Sequence, residues 1–272
     1  MQRIITGVVA GGIFLALLLL GGAYFQILVA LLVIIAMQEL FRMYKLQVFS
    51  FEGILATLAA LSLALPVGKH WLGLNADGGV MLFTLFLFMM LTGMVLSNGK
   101  YSFVDVGFPF LSAFYVGIGF QNLLTARQTS VYIVFLALFI VWATDIGAYA
   151  FGRSLKDRFP QKLLPSVSPN KTVVGSVGGI VSAIVVALVM YFLFTKELPQ
   201  IGFVKLVIFT IIFSVVGQIG DLVESSIKRH FGVKDSGKIL PGHGGILDRF
   251  DNLIFVFPIM HLLGLFLSLI HI

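Results

Sequence analysis

Residues 220–251 read GDLVESSIKRHFGVKDSGKILPGHGGILDRFD. The stretch leaves one apolar run and enters the next. Between them it sets Asp221, Glu224, Lys228, Arg229, Lys234, Asp235, Lys238, Asp248, Arg249 and Asp251 among six glycines, and His230 and His243 can join by protonation. Carboxylates suit a hard divalent cation, Lys and Arg suit phosphate oxygens, and glycines let the backbone approach a ligand closely. Phosphoryl or nucleotidyl transfer needs that set of groups. A plain loop between membrane helices needs none of it.

Outward from this stretch the chain is greasy. Of 272 residues 59% are hydrophobic and only 11% charged, and the mean hydropathy is +1.05, whereas a soluble domain carries about 25% charged residues. There is no cysteine, so disulfide frames and thiolate chemistry are excluded. The net charge of +6 does not point to nucleic acid, because the basic residues lie between apolar spans and not on a basic helix or an aromatic-studded sheet. Anionic lipid head groups and phosphates are the expected partners.

A bilayer needs apolar runs of roughly 17–25 residues, and nine are expected: about 3–21, 23–41, 52–68, 79–97, 103–124, 130–151, 172–195, 202–223 and 249–270. The third ends at Pro66, and the fifth carries Asp105 and Pro109. Arg3 before an apolar core resembles a signal peptide, but a second apolar run follows at once without a small-residue cleavage site, so a retained helix is expected. Nine spans put the termini on opposite faces. Only Lys69, Arg127, Lys196 and Lys205 would then share the second side, the other fourteen of the 18 Lys and Arg facing the first. Positive residues mark the cytoplasm. The expected fold is therefore an all-α, polytopic membrane protein with its N-terminus and both long polar loops (152–171 and 224–248) cytoplasmic and its C-terminus outside. Residues 1–128 would hold spans one to five, and 129–272 the catalytic spans six to nine. Gly7/Gly11 and Gly175/Gly179 have the spacing that lets helices approach; packing within one chain and the seam of a homodimer both fit it.

Polar residues gather at a few points. Asp145 lies inside the sixth span, where an acid is costly and faces a cavity or a partner, and Asp145, Tyr149 and Gly152 share a helical face. Pro169 stops any helix before Thr172, which can cap the seventh span. Lys171 is then held beside a helix N-terminus, an unfavourable place for a cation unless an anion offsets it. Asp221, Ser225 and Lys228 share one face of the eighth span with Glu224 beside them, and Asp248, Asp251 and Asn252 share a face at the start of the ninth. Ordinary helix-start chemistry also accounts for Asp248 and Asp251. Pro241 to Gly245 directly precede that helix, so Gly244 and Gly245 can bring backbone N–H groups to a phosphate, with His243 as base, phosphate donor or plain loop residue. Neither a P-loop nor a dinucleotide fingerprint is present, and five His without Cys show no zinc spacing.

The pattern Ser225-x-Ile-Lys228-Arg229-x4-Lys234-Asp235-x-Gly237-x2-Leu240-Pro241-x-His243-Gly244-Gly245-Ile246-x-Asp248-Arg249-Phe250-Asp251 resembles the signature of the CDP-diacylglycerol synthases, or phosphatidate cytidylyltransferases. Asp145-x-x-Ala148-Tyr149-x-x-Gly152-Arg153, Ser168 to Thr172 and Gly220-Asp221-Leu222 resemble the family too. One position departs: the family's Lys-Thr-x-Glu-Gly has Val174 where Glu is usual, so a role of that Glu has no carrier here. The resemblance implies that CTP and phosphatidic acid give CDP-diacylglycerol and pyrophosphate at the cytoplasmic face of the plasma membrane. It implies Mg²⁺, with Mn²⁺ as a substitute and a second metal ion left open. Asp221 and Asp248 would ligate the metal, with Asp145, Glu224 and Asp251 as alternative ligands or orienting groups. Lys171, Lys228, Arg229, Lys234 and Arg249 would grip phosphates, with Ser225, His243, Gly244 and Gly245 completing the substrate site.

Two other classes use similar parts. A CTP-dependent lipid kinase would act on a hydroxyl, and a transporter would spread its charges through several spans, often with repeat symmetry. Radiolabelled CTP separates them by CMP transfer, γ-phosphate transfer or neither.

Overall fold

A computed structural model describes residues 2–66, 78–194, 198, 202–242 and 244–265. Among them the chain forms α1 (Gln2–Leu20), α2 (Gly22–Tyr44), α3 (Phe51–Ala64), α4 (Gly78–Leu96), α5 (Phe103–Thr129), α6 (Val131–Ser154), β1 (Lys162–Leu164), β2 (Ser168–Thr172), α7 (Val173–Leu193), α8 (Phe203–His230) and α9 (Leu247–Leu262). Six of these helices, α2 and α4 to α8, are long and apolar enough to cross a membrane by length and composition. At 1.5 Å per residue, the 14 residues of α3 reach only about 21 Å, short of a hydrocarbon core of about 30 Å. Helix α1 contributes the shorter apolar stretch Ile5–Leu20, and α9 opens on Asp248. The chain is thus all-helical with six candidate spans, against nine expected from hydropathy. The ends of the expected third, seventh and ninth runs lie outside the described residues, as does His243.

One element departs from pure helix. The loop after α6 carries an antiparallel hairpin in which Lys162 pairs with Thr172 and Leu164 with Ser168. Pro165, within the turn, and Pro169, in the second strand, disfavour a helix there.

The chain divides into two compact units, Met1–Thr125 with Asp235–Arg249 and Ala126–Lys234 with Phe250–Ile272. In the first, α3 packs on α2 and α4 through a small-residue face that includes Ala56, Ala59, Ala60 and Ser62. A Cβ on Gly79 of α4 would meet the Ser62 carbonyl at 2.6 Å, and one on Gly117 of α5 would meet Leu63 Cβ at 3.0 Å. Helix α5 starts on a reciprocal cap. Asp105 Oδ2 accepts from Ser102 N (2.8 Å) and Ser102 Oγ (2.6 Å), while Asp105 N donates to Ser102 Oγ at 3.3 Å. The acid of the expected fifth span is therefore capping chemistry.

In the second unit α7 packs along α6 and against α8. A Cβ on Gly175 would meet the Ala148 carbonyl at 2.7 Å, and one on Gly179 the Thr144 carbonyl at 2.6 Å. The Gly175/Gly179 pair thus serves packing within this unit. Thr144 Oγ1 and Ser214 Oγ, 2.8 Å apart and buried, join α6 to α8. Gly220 lets α8 cross α9 closely, because a Cβ there would meet the Asp251 carbonyl at 2.5 Å.

Candidate active site

The close crossings of the second unit leave a cleft of about 810 Å³ lined by Asp145, Tyr149, Gly152, Arg153, Lys156, Lys162, Asn170, Lys171, Thr172, Ser176, Gln218 and Asp221 among others. Its geometry follows from local chemistry. Thr172 Oγ1 accepts from Gly175 N at 3.1 Å and so caps α7. The strand before it therefore presents Lys171 at the helix N-terminus. The anion that this position calls for is present, because the Lys171 ammonium pairs with the Asp221 carboxylate. Ser225, one turn on, donates to Asp221 Oδ1 at 3.3 Å.

Asp145 projects from α6, and both its oxygens accept from Asn252 Nδ2, at 3.2 and 3.0 Å. Asp251 is close enough to Asp221, Asp145 and Lys228 to feel their charges. Lys228 is buried and pairs with buried Glu224. In this neighbourhood Asp145, Asp221, Glu224 and Asp251 outnumber Lys171 and Lys228. Neighbouring carboxylates repel unless a cation or a proton intervenes. Asn252 Oδ1 is buried and has no hydrogen-bond partner among the described residues. The carboxylates of Asp145, Asp221 and Asp251 and the one spare acceptor are hard oxygens of the kind a divalent cation such as Mg²⁺ takes. Among the described residues no three His, Asp or Glu converge tightly enough to ligate an ion by themselves.

The remaining expected residues fall elsewhere. Ser225, Lys228, Arg229 and Lys234 do not line the cleft. Arg229 Nη1 donates to the Val233 carbonyl at 3.1 Å, closing the turn after α8, and Lys234 is exposed. Conversely, Arg153, Lys156 and Lys162 line the cleft although the sequence reading gave them no role. Arg153 is steadied by Tyr149, donating from Nη1 to its hydroxyl at 2.7 Å.

Asp248, Arg249, Gly244 and Gly245 belong to the first unit. There Asp248 Oδ2 accepts from Gly245 N (2.8 Å), Ser236 N (2.9 Å) and Ser236 Oγ (2.9 Å). A second carboxylate, Glu39 of α2, accepts from Ile246 N (2.8 Å), Leu247 N (2.9 Å) and Ser236 Oγ (3.0 Å). The Gly245 N–H, expected to meet a phosphate, is thus met by Asp248, and the N–H groups of Ile246 and Leu247 by Glu39. Gly244 adopts φ 83°, which disfavours other residues, and the segment closes with Leu240 N donating to the Gly244 carbonyl at 3.1 Å. Glu39 was missed in the sequence although the signal was there: it is an acid within an apolar run, the same criterion that selected Asp145.

Comparison with known proteins shows the family of the chain. The model of a family described as the cytidylyltransferase family matches residues 1–267. A phosphatidate cytidylyltransferase of Bacillus subtilis is 44% identical over 271 residues, covering 97% of this chain and 98% of that protein. Proteins of the same name from Staphylococcus haemolyticus and Staphylococcus saprophyticus are 42% and 43% identical, each covering 96% of this chain and 97% of the relative. With matches that run nearly end to end, the chain belongs to the cytidylyltransferase family.

Proposed function

We propose that the protein is a phosphatidate cytidylyltransferase, forming CDP-diacylglycerol and pyrophosphate from CTP and phosphatidic acid. The observation that carries this reading is the cleft where Lys171 and Asp221 pair, ringed by Arg153, Lys156 and Lys162. Two strongly anionic substrates must be brought together, and such a ring of cations screens their repulsion. A phosphatidate oxygen attacks the α-phosphorus of CTP. The new P–O bond forms as the bond to the β-phosphate oxygen breaks, and pyrophosphate carries the electron pair away. No covalent enzyme intermediate is required, because phosphatidate is itself an anionic nucleophile.

In this reading the Lys171–Asp221 pair holds the place of the substrate charges. Lys171 would turn to a phosphate oxygen on binding, which would free Asp221 to hold the metal. Mg²⁺, or Mn²⁺ in its stead, when bound would neutralise charge developing on the departing pyrophosphate. Asp221 is its proposed ligand in the cleft, Asp145 and Asp251 orient around it, and Asp248 is proposed as a further ligand from its chemistry alone. Lys228 stays a charge-balancing residue of the acid cluster, and Arg229, Lys234 and Arg249 remain proposed phosphate contacts.

The proposal includes nine spans in the plasma membrane with the site facing the cytoplasm. A Cys in place of Lys238, exposed in the same loop, should then be labelled only from inside, and a tag after Ile272 only from outside; labelling of both from one side would remove this topology. The activity is tested with α-³²P-CTP, phosphatidic acid and the purified protein in detergent. Label should appear in lipid as CDP-diacylglycerol. Label transferred only from γ-³²P-CTP would indicate a lipid kinase, and no transfer from either would reject both enzymes.

A further inference from the structure

We infer that Glu39, on a helix the sequence marks only as a membrane span, is a positioning residue of the transfer reaction. It holds the 235–249 segment in its working shape. The inference rests on the proposed transferase activity and on the geometry of the first unit. Glu39 is 4% exposed. Its carboxylate reaches both ends of the segment, taking the Ser236 hydroxyl at one end and the Ile246 and Leu247 N–H groups at the other. The latter two sit at the N-terminus of α9, where unpaired N–H groups and the helix dipole favour an anion. Ser236 Oγ lies 3.0 Å from Glu39 Oε2 and 2.9 Å from Asp248 Oδ2. Its single proton is therefore shared between two carboxylates, and Glu39 and Asp248 are tied to one another through it.

The glycines of the segment give an independent indication. A Cβ on Gly237 or on Gly245 would come to 2.4 Å from Glu39 Oε1, and one on Gly244 to 2.5 Å from Asp248 Oδ2. Three signature glycines are thus explained by room for carboxylates. The segment closes around Glu39 much as a loop closes around a bound anion, with the anion supplied by the protein. Glu39 touches neither substrate nor metal in this scheme. It acts by fixing where Asp248 and Arg249 stand.

The test uses the full-length protein and two variants, Glu39→Gln and Ser236→Ala. Gln keeps the size, but it presents an NH₂ where one oxygen accepted, so one of the clamped N–H groups loses its partner. Loss of a residue that orients a ligand typically costs about 10–100-fold. Glu39→Gln should lower kcat by about that factor while KM for CTP stays within about threefold. Hydrogen–deuterium exchange in the peptide covering 236–249 should rise by at least about tenfold at one of the two clamped amides, Ile246 or Leu247, whichever loses its acceptor. Ser236→Ala should lower kcat by a smaller factor, and the double variant should be no worse than Glu39→Gln alone. A folded Glu39→Gln enzyme with normal kcat, a change confined to KM, or unchanged exchange in the segment would each overturn the inference. Should Glu39→Gln fail to fold, Ser236→Ala decides: reduced kcat with faster exchange supports the clamp, and wild-type kcat overturns it. A wild-type protein that transfers no CMP would instead sink the transferase reading, with exchange in Glu39→Gln still reporting on the clamp.

Discussion

Glu39 and Asp248 in the first unit, and Asp145 and Asp221 in the second, are all carboxylates attached to apolar helices, yet they are satisfied in opposite ways. The first pair is surrounded by donors fixed in the fold, mostly backbone N–H groups of residues 236 and 245–247. The second pair meets long or flexible side chains, Lys171, Ser225 and Asn252, with Asp251 adding charge nearby. Neutral fixed donors disperse a charge and hold it still. A lysine that is only part-buried, on a flexible stem, can exchange one anionic partner for another. The difference separates carboxylates held still by the fold, Glu39 for shape and Asp248 in the place of its proposed ligand role, from carboxylates whose side-chain partners can be exchanged for substrate charge.

The sharpest way to break this distinction is Asp221→Asn. It should lower CMP transfer by about a thousandfold or more, since it removes charge stabilisation at the reacting phosphates, while the unfolding temperature stays near that of the parent. Excess EDTA should abolish transfer in the parent. Near-normal turnover in either experiment would move Asp221 into the structural group. Next, Lys171→Ala should lower kcat/KM for CTP by about 10–100-fold, the scale of a lost charge-assisted contact at a phosphate. Activity within about twofold would return Lys171 to a simple counter-ion of Asp221.

Gly245→Ala should act through stability. The added methyl would stand 2.2 Å from Ser236 Oγ and 2.4 Å from Glu39 Oε1, and overpacking of that kind typically costs about 1–3 kcal/mol. Thermal unfolding in detergent reads it, and an unshifted transition would mean that the clamp yields freely. Thr172→Ala is the mildest change. Loss of its cap on α7 should destabilise by about 1 kcal/mol, read in the same way, and no shift would mean that Pro169 and the hairpin define that helix start without it.

Part of the candidate site was legible in the sequence. Asp145 stood out because an acid in an apolar run needs a reason, and Thr172 because a hydroxyl before an apolar run caps it. Lys171 called for a neighbouring anion, although the identity of that anion, Asp221, lies 50 residues away and no local rule reaches so far. Lys156 and Lys162 looked like ordinary positive-inside residues, and only the hairpin and the end of α6 bring them to the cleft. Glu39 obeyed the rule that picked Asp145 but sat far in sequence from every recognised motif.

Composition and periodicity by themselves determined that this chain is a set of apolar helices with its charges concentrated in two polar stretches. Those signals are local, since burial in lipid or protein core is written into each run of residues. The C-terminal signature also marked the family, because it is a string of particular residue types at fixed spacing within one stretch of chain. Only the tertiary structure decided which charge meets which. The close helix crossings at Gly175, Gly179 and Gly220 bring Lys171 to Asp221 and Asp251 to Asp145, and folding lays the segment before α9 on Glu39. Pairings of that kind depend on the approach of distant helices, and the residues that permit the approach are glycines, which carry no chemical label of their own.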